Sequence, residues 1–222
     1  MDQAHRAVAL SLLSIAACGG EVEPPPITPD DNAALPYVQE IVSFLPGTNA
    51  GYGQDRAPKI VMGPPTGKGL GAGSIDTLSL GIGGEIVLGF GDRIIVDGPG
   101  PDFVVFENAF WVNGVRGTVY AELGDVSVSE DGATWHEFAC DSTRDARMEW
   151  PGCAGWSPAL EYDALVLDPL DAVQTGGDAF DLATIGVSEA RFVRIRDRAS
   201  DGEPPTAGFD LDAVGLIRYR QQ

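Results

Sequence analysis

The chain of 222 residues has little of what most catalytic and nucleic-acid-binding sites are built from. It holds two histidines, three cysteines, and 14 lysines and arginines against 33 aspartates and glutamates, for a formal net charge of -19. Nucleic acid affinity rests on neutralising phosphates with Lys and Arg, so this balance excludes DNA and RNA as expected partners. Of the histidines, His5 lies in the leader described below, which leaves His136 alone in the mature chain. A Ser-His-Asp or Cys-His site would have to use it, and a catalytic zinc centre with several histidine ligands cannot be assembled from one. Gly63-Pro-Pro-Thr-Gly67-Lys68-Gly69 falls one residue short of a phosphate loop and lacks the hydroxyl residue after the lysine. Glycoside hydrolysis needs only two carboxylates, and in so acidic a chain a chance pair is no evidence. The chain is therefore expected to be non-catalytic. No apolar run reaches the roughly 18 residues of a membrane-spanning helix.

The first residues read as an export address. Arg6 precedes the apolar run Ala7 to Ala17, interrupted only by Ser11 and Ser14, and the run stops at Cys18. Ile15-Ala16-Ala17-Cys18 resembles the bacterial lipobox, which implies a signal peptide over residues 1–17 and lipidation of Cys18. Gly19 after that cysteine resembles the pattern that proceeds to the outer membrane or cell surface. The alternative is a plain secretory signal cut near Ala17, and either exports the chain. Residues 18–35 form the lipidated cysteine and a Pro-rich tether, with Glu21 to Asp31 favouring extended polyproline backbone. Residues 36–222 form a single domain, attached to the membrane through the lipid alone. Cys140 and Cys153 remain, and an oxidising compartment favours a structural disulfide between them.

Beyond the tether, Val38, Ile41, Val42 and Leu45 stand at helical spacing between Pro36 and Pro46, predicting one short N-terminal helix over Tyr37 to Leu45. From Lys59 onward, short β-branched and aromatic runs alternate with Gly, Pro and Asp, the pattern of an all-β antiparallel sandwich. The expected strands are Lys59–Met62, Thr77–Leu80, Glu85–Phe90, Arg93–Val96, Phe103–Phe106, Thr118–Leu123, Val126–Ser129, Thr134–Phe138, Arg191–Arg196 and Leu211–Arg218. Asp131-Gly132 suits a type I′ turn between two of them, with Trp135 as a core anchor.

Val126-Ser-Val-Ser-Glu-Asp-Gly-Ala-Thr-Trp135, Ala190-Arg191-Phe192-Val193-Arg194-Ile195 and Gly208-Phe-Asp-Leu-Asp-Ala-Val214 together resemble the galactose-binding-like (discoidin, F5/8 type C) jelly-roll domains. With Gly63-Pro64-Pro65, Ser79-Leu80-Gly81, Asp97 to Phe110 and Gly177 to Leu182, the chain is similar to a family of exported bacterial proteins labelled only cell surface protein. The likeness spans roughly residues 36 to 218. It implies a jelly-roll sandwich, binding of glycans or lipids through loops at one end, and a structural Ca²⁺. No sugar-binding residue can be carried over from it.

The carboxylates gather at Asp97 to Asn108, Asp178 to Asp181 and Asp210 to Asp212. Ca²⁺ takes roughly six to eight oxygens from carboxylates, amides and carbonyls, and Gly-rich turns let these converge. In an extended Phe209 to Ala213, alternation places Phe209, Leu211 and Ala213 on one face and Asp210 with Asp212 on the other. Two adjacent carboxylates repel unless a cation lies between them. The expected Ca²⁺ ligands are thus drawn from Asp102, Glu107, Asn108, Asp178, Asp210 and Asp212. The alternative pairs Asp210 and Asp212 with Arg191, Arg194 or Arg196, and makes the other aspartates turn residues. The expected partner is a glycan or an envelope protein. Trp111, Trp150 and Trp156 are near loops where a sugar ring would stack.

Overall fold

The computed structural model describes residues 35–66, 73–143, 149–160 and 175–222. The expected signal peptide, Cys18 and residues 18–34 of the expected tether lie outside the described residues. The strands, in chain order, are β1 (Glu40–Leu45), β2 (Leu78–Ser79), β3 (Glu85–Gly89), β4 (Arg93–Val96), β5 (Phe103–Glu107), β6 (Phe110–Trp111), β7 (Val119–Tyr120), β8 (Gly124–Ser129), β9 (His136–Glu137), β10 (Cys153–Ala154), β11 (Asp178–Phe180), β12 (Glu189–Ala190), β13 (Phe192–Asp197), β14 (Asp210–Leu216) and β15 (Tyr219–Gln221).

One sheet runs β1-β3-β13-β8-β10, with β9 also on β8, and the facing sheet runs β11-β5-β14-β2. The pairs within both sheets are antiparallel, as expected for a sandwich. Alternation sends Ile86 and Leu88 of β3, Val193 and Ile195 of β13, and Val126 and Val128 of β8 into the space between the sheets. There they meet Phe103 and Val105 of β5 and Leu211, Val214 and Leu216 of β14. Each such side chain contributes about 1.5–3 kcal/mol by leaving water. Phe103 stacks on Phe180 at 5.1 Å and meets Phe138 edge-on at 5.8 Å. The opposite face of β5 is buried too, because Val104 and Phe106 pack with Tyr37, Ala159 and Ala213. A strand covered on both faces reads as the unbroken apolar run seen in the sequence. The same alternation puts Glu107 in phase with Phe103 and Val105, toward the other sheet.

Several expectations are corrected. Residues 40–45 form the edge strand β1 rather than a helix. Its pairing with β3 shifts register between Ile41 and Ser43, so a bulge adds one residue and turns the strand spacing i, i+2 into i, i+3. Ile41 and Phe44 consequently both pack on the core, while Val42 and Leu45 are exposed. Helical spacing here is the imprint of a bulge. Lys59–Val61 is a 3₁₀ turn that still buries Ile60 and Val61; Val61 N–H donates to Pro58 O and Met62 N–H to Lys59 O. Asp131-Gly132 is not a type I′ turn, since only Gly132 has positive φ. Asp131 instead accepts the Ala133 and Thr134 N–H groups, which hold its carboxyl down at about 2. Trp135 lies outside the core, half-buried under the Arg194 guanidinium at 4.4 Å. The Cys140–Cys153 disulfide is present as expected.

Candidate metal centre

Because β5 and β14 are antiparallel, the end of one and the start of the other share one edge of the sandwich, where Glu107 stands opposite Leu211. Since β8 and β13 are antiparallel as well, Gly124 at the start of β8 stands opposite Asp197 at the end of β13. Phe209 joins the two sheets at this edge. A Cβ on Gly124 would lie 2.8 Å from its ring, so only glycine lets that ring seat. Glu107, Asn108 and Asp210 of the predicted set meet here, together with Glu122 and Asp197, which sequence reasoning did not single out, while Asp212 is joined to them only through Ser74 and Asn108.

Glu107 is 4% exposed. One of its oxygens accepts the Asp210 N–H at 3.4 Å, and the other, Oε2, has no partner among the described residues. Burial, and then the charges of Asp210 and Glu122, push this carboxyl well above the usual range. Asp210 is 6% exposed and its Oδ1 is likewise unpartnered. Burial raises it to about 6, although the Ser79 and Asn108 side chains favour its charged form. Asp212 accepts the Thr66 N–H at 3.1 Å, leaves Oδ2 unpartnered, and is raised well above the usual range by burial. Asn108 links the two aspartates, since its Oδ1 accepts the Ser74 N–H while Ser74 also acts on Asp212.

The predicted alternation over Phe209 to Ala213 is corrected. The register of β14 against β5 shifts between Leu211 and Ala213, so Leu211 faces the main core and Ala213 the second cluster. Asp212 is the inserted residue, and the two aspartates reach separate partners. Nor do Arg194 and Arg196 neutralise them: Arg194 donates to Ser127 and Arg196 to Glu85.

Asp102 stands apart from this strip, whereas Asp178 lies beside it, its charge being among those that raise Glu107. Asp178 takes the Gly155, Trp156 and Ser157 N–H groups at 2.6, 3.1 and 3.2 Å; burial nevertheless raises it to about 8. It clamps the 155–157 loop onto β11. Asp102, at the start of β5, accepts the Gly98 and Leu182 N–H groups, and Arg218 Nε stands 3.8 Å away. Oxygens of Asp97, Asp102 and Asp181 lie within 4.8 Å of one another, the one such trio of acids among the described residues. Burial and the charges of Asp181 and Asp97 raise Asp102 above the usual range, against the Leu182 and Gly98 hydrogen bonds. Glu107, Asp210 and Glu122 do not form such a trio.

Glu122 precedes β8. Burial and the charges of Asp210 and Asp197 raise it to about 8, against a hydrogen bond from the Gly208 backbone. Nothing in Ala121-Glu122-Leu123 marks it in the sequence. Asp197 was legible, being in phase with Val193 and Ile195. Its carboxylate collects the Gly83, Ala199 and Phe209 N–H groups at 2.9, 2.9 and 2.7 Å and fastens three loops at this edge.

A buried polar atom without a partner costs about 1–3 kcal/mol, and more when charged. Three such carboxylate oxygens in one strip call for protons or for a hard cation, which takes oxygen donors of this kind.

No family model matches the chain, and no curated protein does. Among the solved structures similar to it are the following two. One is the C-terminal domain of a chitobiase from Bacteroides fragilis, 12% identical, covering 82% of this chain and 94% of that one with a TM-score of 0.36. The other is a glycoside hydrolase, 15% identical, covering 62% of this chain and 22% of that one with a TM-score of 0.27. At these scores neither bears on what the chain does.

Proposed function

We propose that the chain is a non-catalytic, exported lipoprotein, anchored through Cys18 at the outer membrane or cell surface. Its sandwich is closed at one edge by Ca²⁺, and it binds a carbohydrate or another envelope ligand. Glu107 and Asp210 hold the ion, with Asn108 and Asp212 beside them. The observation that carries this reading is the set of three buried, unpartnered oxygens, Glu107 Oε2, Asp210 Oδ1 and Asp212 Oδ2. The exposed position of His136 on β9, away from these acids, supports a non-catalytic role. The lipobox-like Ile15-Ala16-Ala17-Cys18 supports the anchor.

The test is the thermal midpoint of the full chain in detergent after chelation, with Ca²⁺ or Mg²⁺ added back. A ligand that binds only the folded state raises the midpoint by mass action, about 2.7 kcal/mol at a hundredfold excess over Kd. The expected result is a rise specific to Ca²⁺ and lost in Glu107→Gln. Equal midpoints with and without Ca²⁺ would overturn the metal reading. Metabolic labelling with palmitate tests the anchor, and unlabelled protein would leave a plain secretory signal.

A further inference from the structure

The 121–123 connection between β7 and β8 and the 198–203 loop after β13 enclose an open groove of about 640 Å³, lined by Tyr120, Glu122, Ser142, Arg198, Asp201 and Glu203. Arg198, the cation among those residues, is already engaged: it donates to Asp125 at 2.6 Å and to Ser142 at 3.1 Å. Asp201 and Glu203 pair with no cation among the described residues. One wall is the ring of Tyr120, which is 50% exposed. Phe110 stacks on it at 5.2 Å and 17°, so the β6–β7 ribbon backs one face of the ring. The rings of Tyr52, Trp111, Trp135 and Tyr219 each carry an arginine of the chain, at 5.3, 5.5, 4.4 and 5.6 Å, whereas Tyr120 carries none among the described residues. The charge of Glu122, then burial, then the charges of Glu107, Asp210 and Asp201 push the Tyr120 hydroxyl up. The field of four carboxylates thus falls on this ring.

We propose that the groove binds an organic cation, an alkylammonium group held over the open face of Tyr120 with Glu122, Asp201 and Glu203 around it. The π face of a tyrosine attracts a cation placed within roughly 6 Å of the ring centre. An ammonium group donates up to three hydrogen bonds, which carboxylates accept, and its methylene stem lies against the aromatic ring. The spacing of the acids selects this chemistry over a metal. Oxygens of Glu122, Asp201 and Glu203 do not all lie within 4.8 Å of one another, as those of Asp97, Asp102 and Asp181 do. They cannot close together on one small ion, whose ligands stand at about 2.3–2.6 Å. Carboxylates spread along a groove suit charges spread along a flexible chain. The inference is independent of the Ca²⁺ and carbohydrate readings, because Glu107, Asn108 and Asp210 do not line the groove. Its position gives access from outside. The chain enters β1 at Glu40, opposite Gly89, which also stands opposite Phe192 at the start of β13, and the groove follows the other end of β13. A free polyamine and the lysines of a partner protein both carry the required group.

The test is calorimetric titration of the full chain in detergent with spermidine and with an acetylated, amidated pentalysine at matched ionic strength, and with Mg²⁺ as the inorganic control. The expected result is saturable binding of an amine, weakened about tenfold in Tyr120→Ala and in the double variant Asp201→Asn, Glu203→Gln. Tyr120→Phe, which keeps the ring, should keep the binding. Tighter binding of spermidine would assign the groove to a free amine, and tighter binding of pentalysine to a partner's lysines. Glu130→Gln removes an exposed acid next to Ser129, at the opposite end of the sandwich, and should leave binding unchanged. Binding that survives Tyr120→Ala, that Glu130→Gln weakens as much as the double variant does, or that Mg²⁺ reproduces at equal charge would overturn the inference. Absence of saturable heat with either amine would overturn it too and leave the Ca²⁺ reading standing, since the thermal midpoint tests that separately.

Discussion

Replacing Asp210 with Asn should change the protein's stability in opposite directions with and without Ca²⁺. Asp210 titrates near 6 in the folded chain against an ordinary 3.8. Its folded value is raised, so the neutral form is favoured by folding. The associated stability is complete below about pH 4 and is lost as pH rises through about 6. In chelator at pH 8 the buried charge therefore costs about 3 kcal/mol, each unit being worth about 1.36 kcal/mol. Asn removes that cost, keeps the shape, and relieves Glu107 of its nearest like charge. For a domain of this length about 3 kcal/mol corresponds to roughly 6–12 °C, so Asp210→Asn should melt above the parent in chelator. At pH 4 the two should melt together. In Ca²⁺ at a thousandfold excess over Kd the parent gains about 4.1 kcal/mol and the variant loses most of that gain, which reverses the order. Differential scanning calorimetry across this grid of pH and Ca²⁺ reads the effect directly. A variant less stable than its parent in chelator at pH 8 would refute the electrostatic reasoning, because Asp210 would then be a well-satisfied carboxylate.

Other consequences follow from the same geometry. Reducing the Cys140–Cys153 disulfide, or replacing both cysteines with Ala, should cost about 3 kcal/mol for a loop of this length, seen as a lower urea midpoint. Gly155 has φ +94, and a Cβ there would lie 2.0 Å from Glu122 O. Gly155→Ala should accordingly destabilise the fold and weaken Ca²⁺ binding by displacing Glu122, both measurable by calorimetric titration. Arg198→Ala should change stability by less than about 1 kcal/mol, since its pair with Asp125 is solvent-screened.

The sandwich was legible because its strands alternate in the two-residue period that burial between sheets imposes. Arg93–Val96 coincides with its expected bounds, and Phe103–Phe106 gains only Glu107 at its end. What misled was the insertion of single residues. The bulge in β1 copied helical spacing, and the bulge at Asp212 broke the alternation read over Phe209 to Ala213. Very short strands such as Cys153–Ala154 and Glu189–Ala190 are held by tertiary pairing and leave no local pattern. Glu107, Asn108 and Asp210 meet because antiparallel pairing brings the end of β5 to the start of β14, and Asp212 is tied in through Ser74. Glu122 was not legible, since only the packing of the β7–β8 connection against the 198–210 segment brings it there.

We propose above that the buried carboxylates of Glu107 and Asp210 hold a cation. A crystal grown in Ca²⁺, with an anomalous difference map, tests it most directly. A peak is expected about 2.3–2.6 Å from Glu107 and Asp210 oxygens. A map empty at that edge, or a peak confined to Asp97, Asp102 and Asp181, would contradict it.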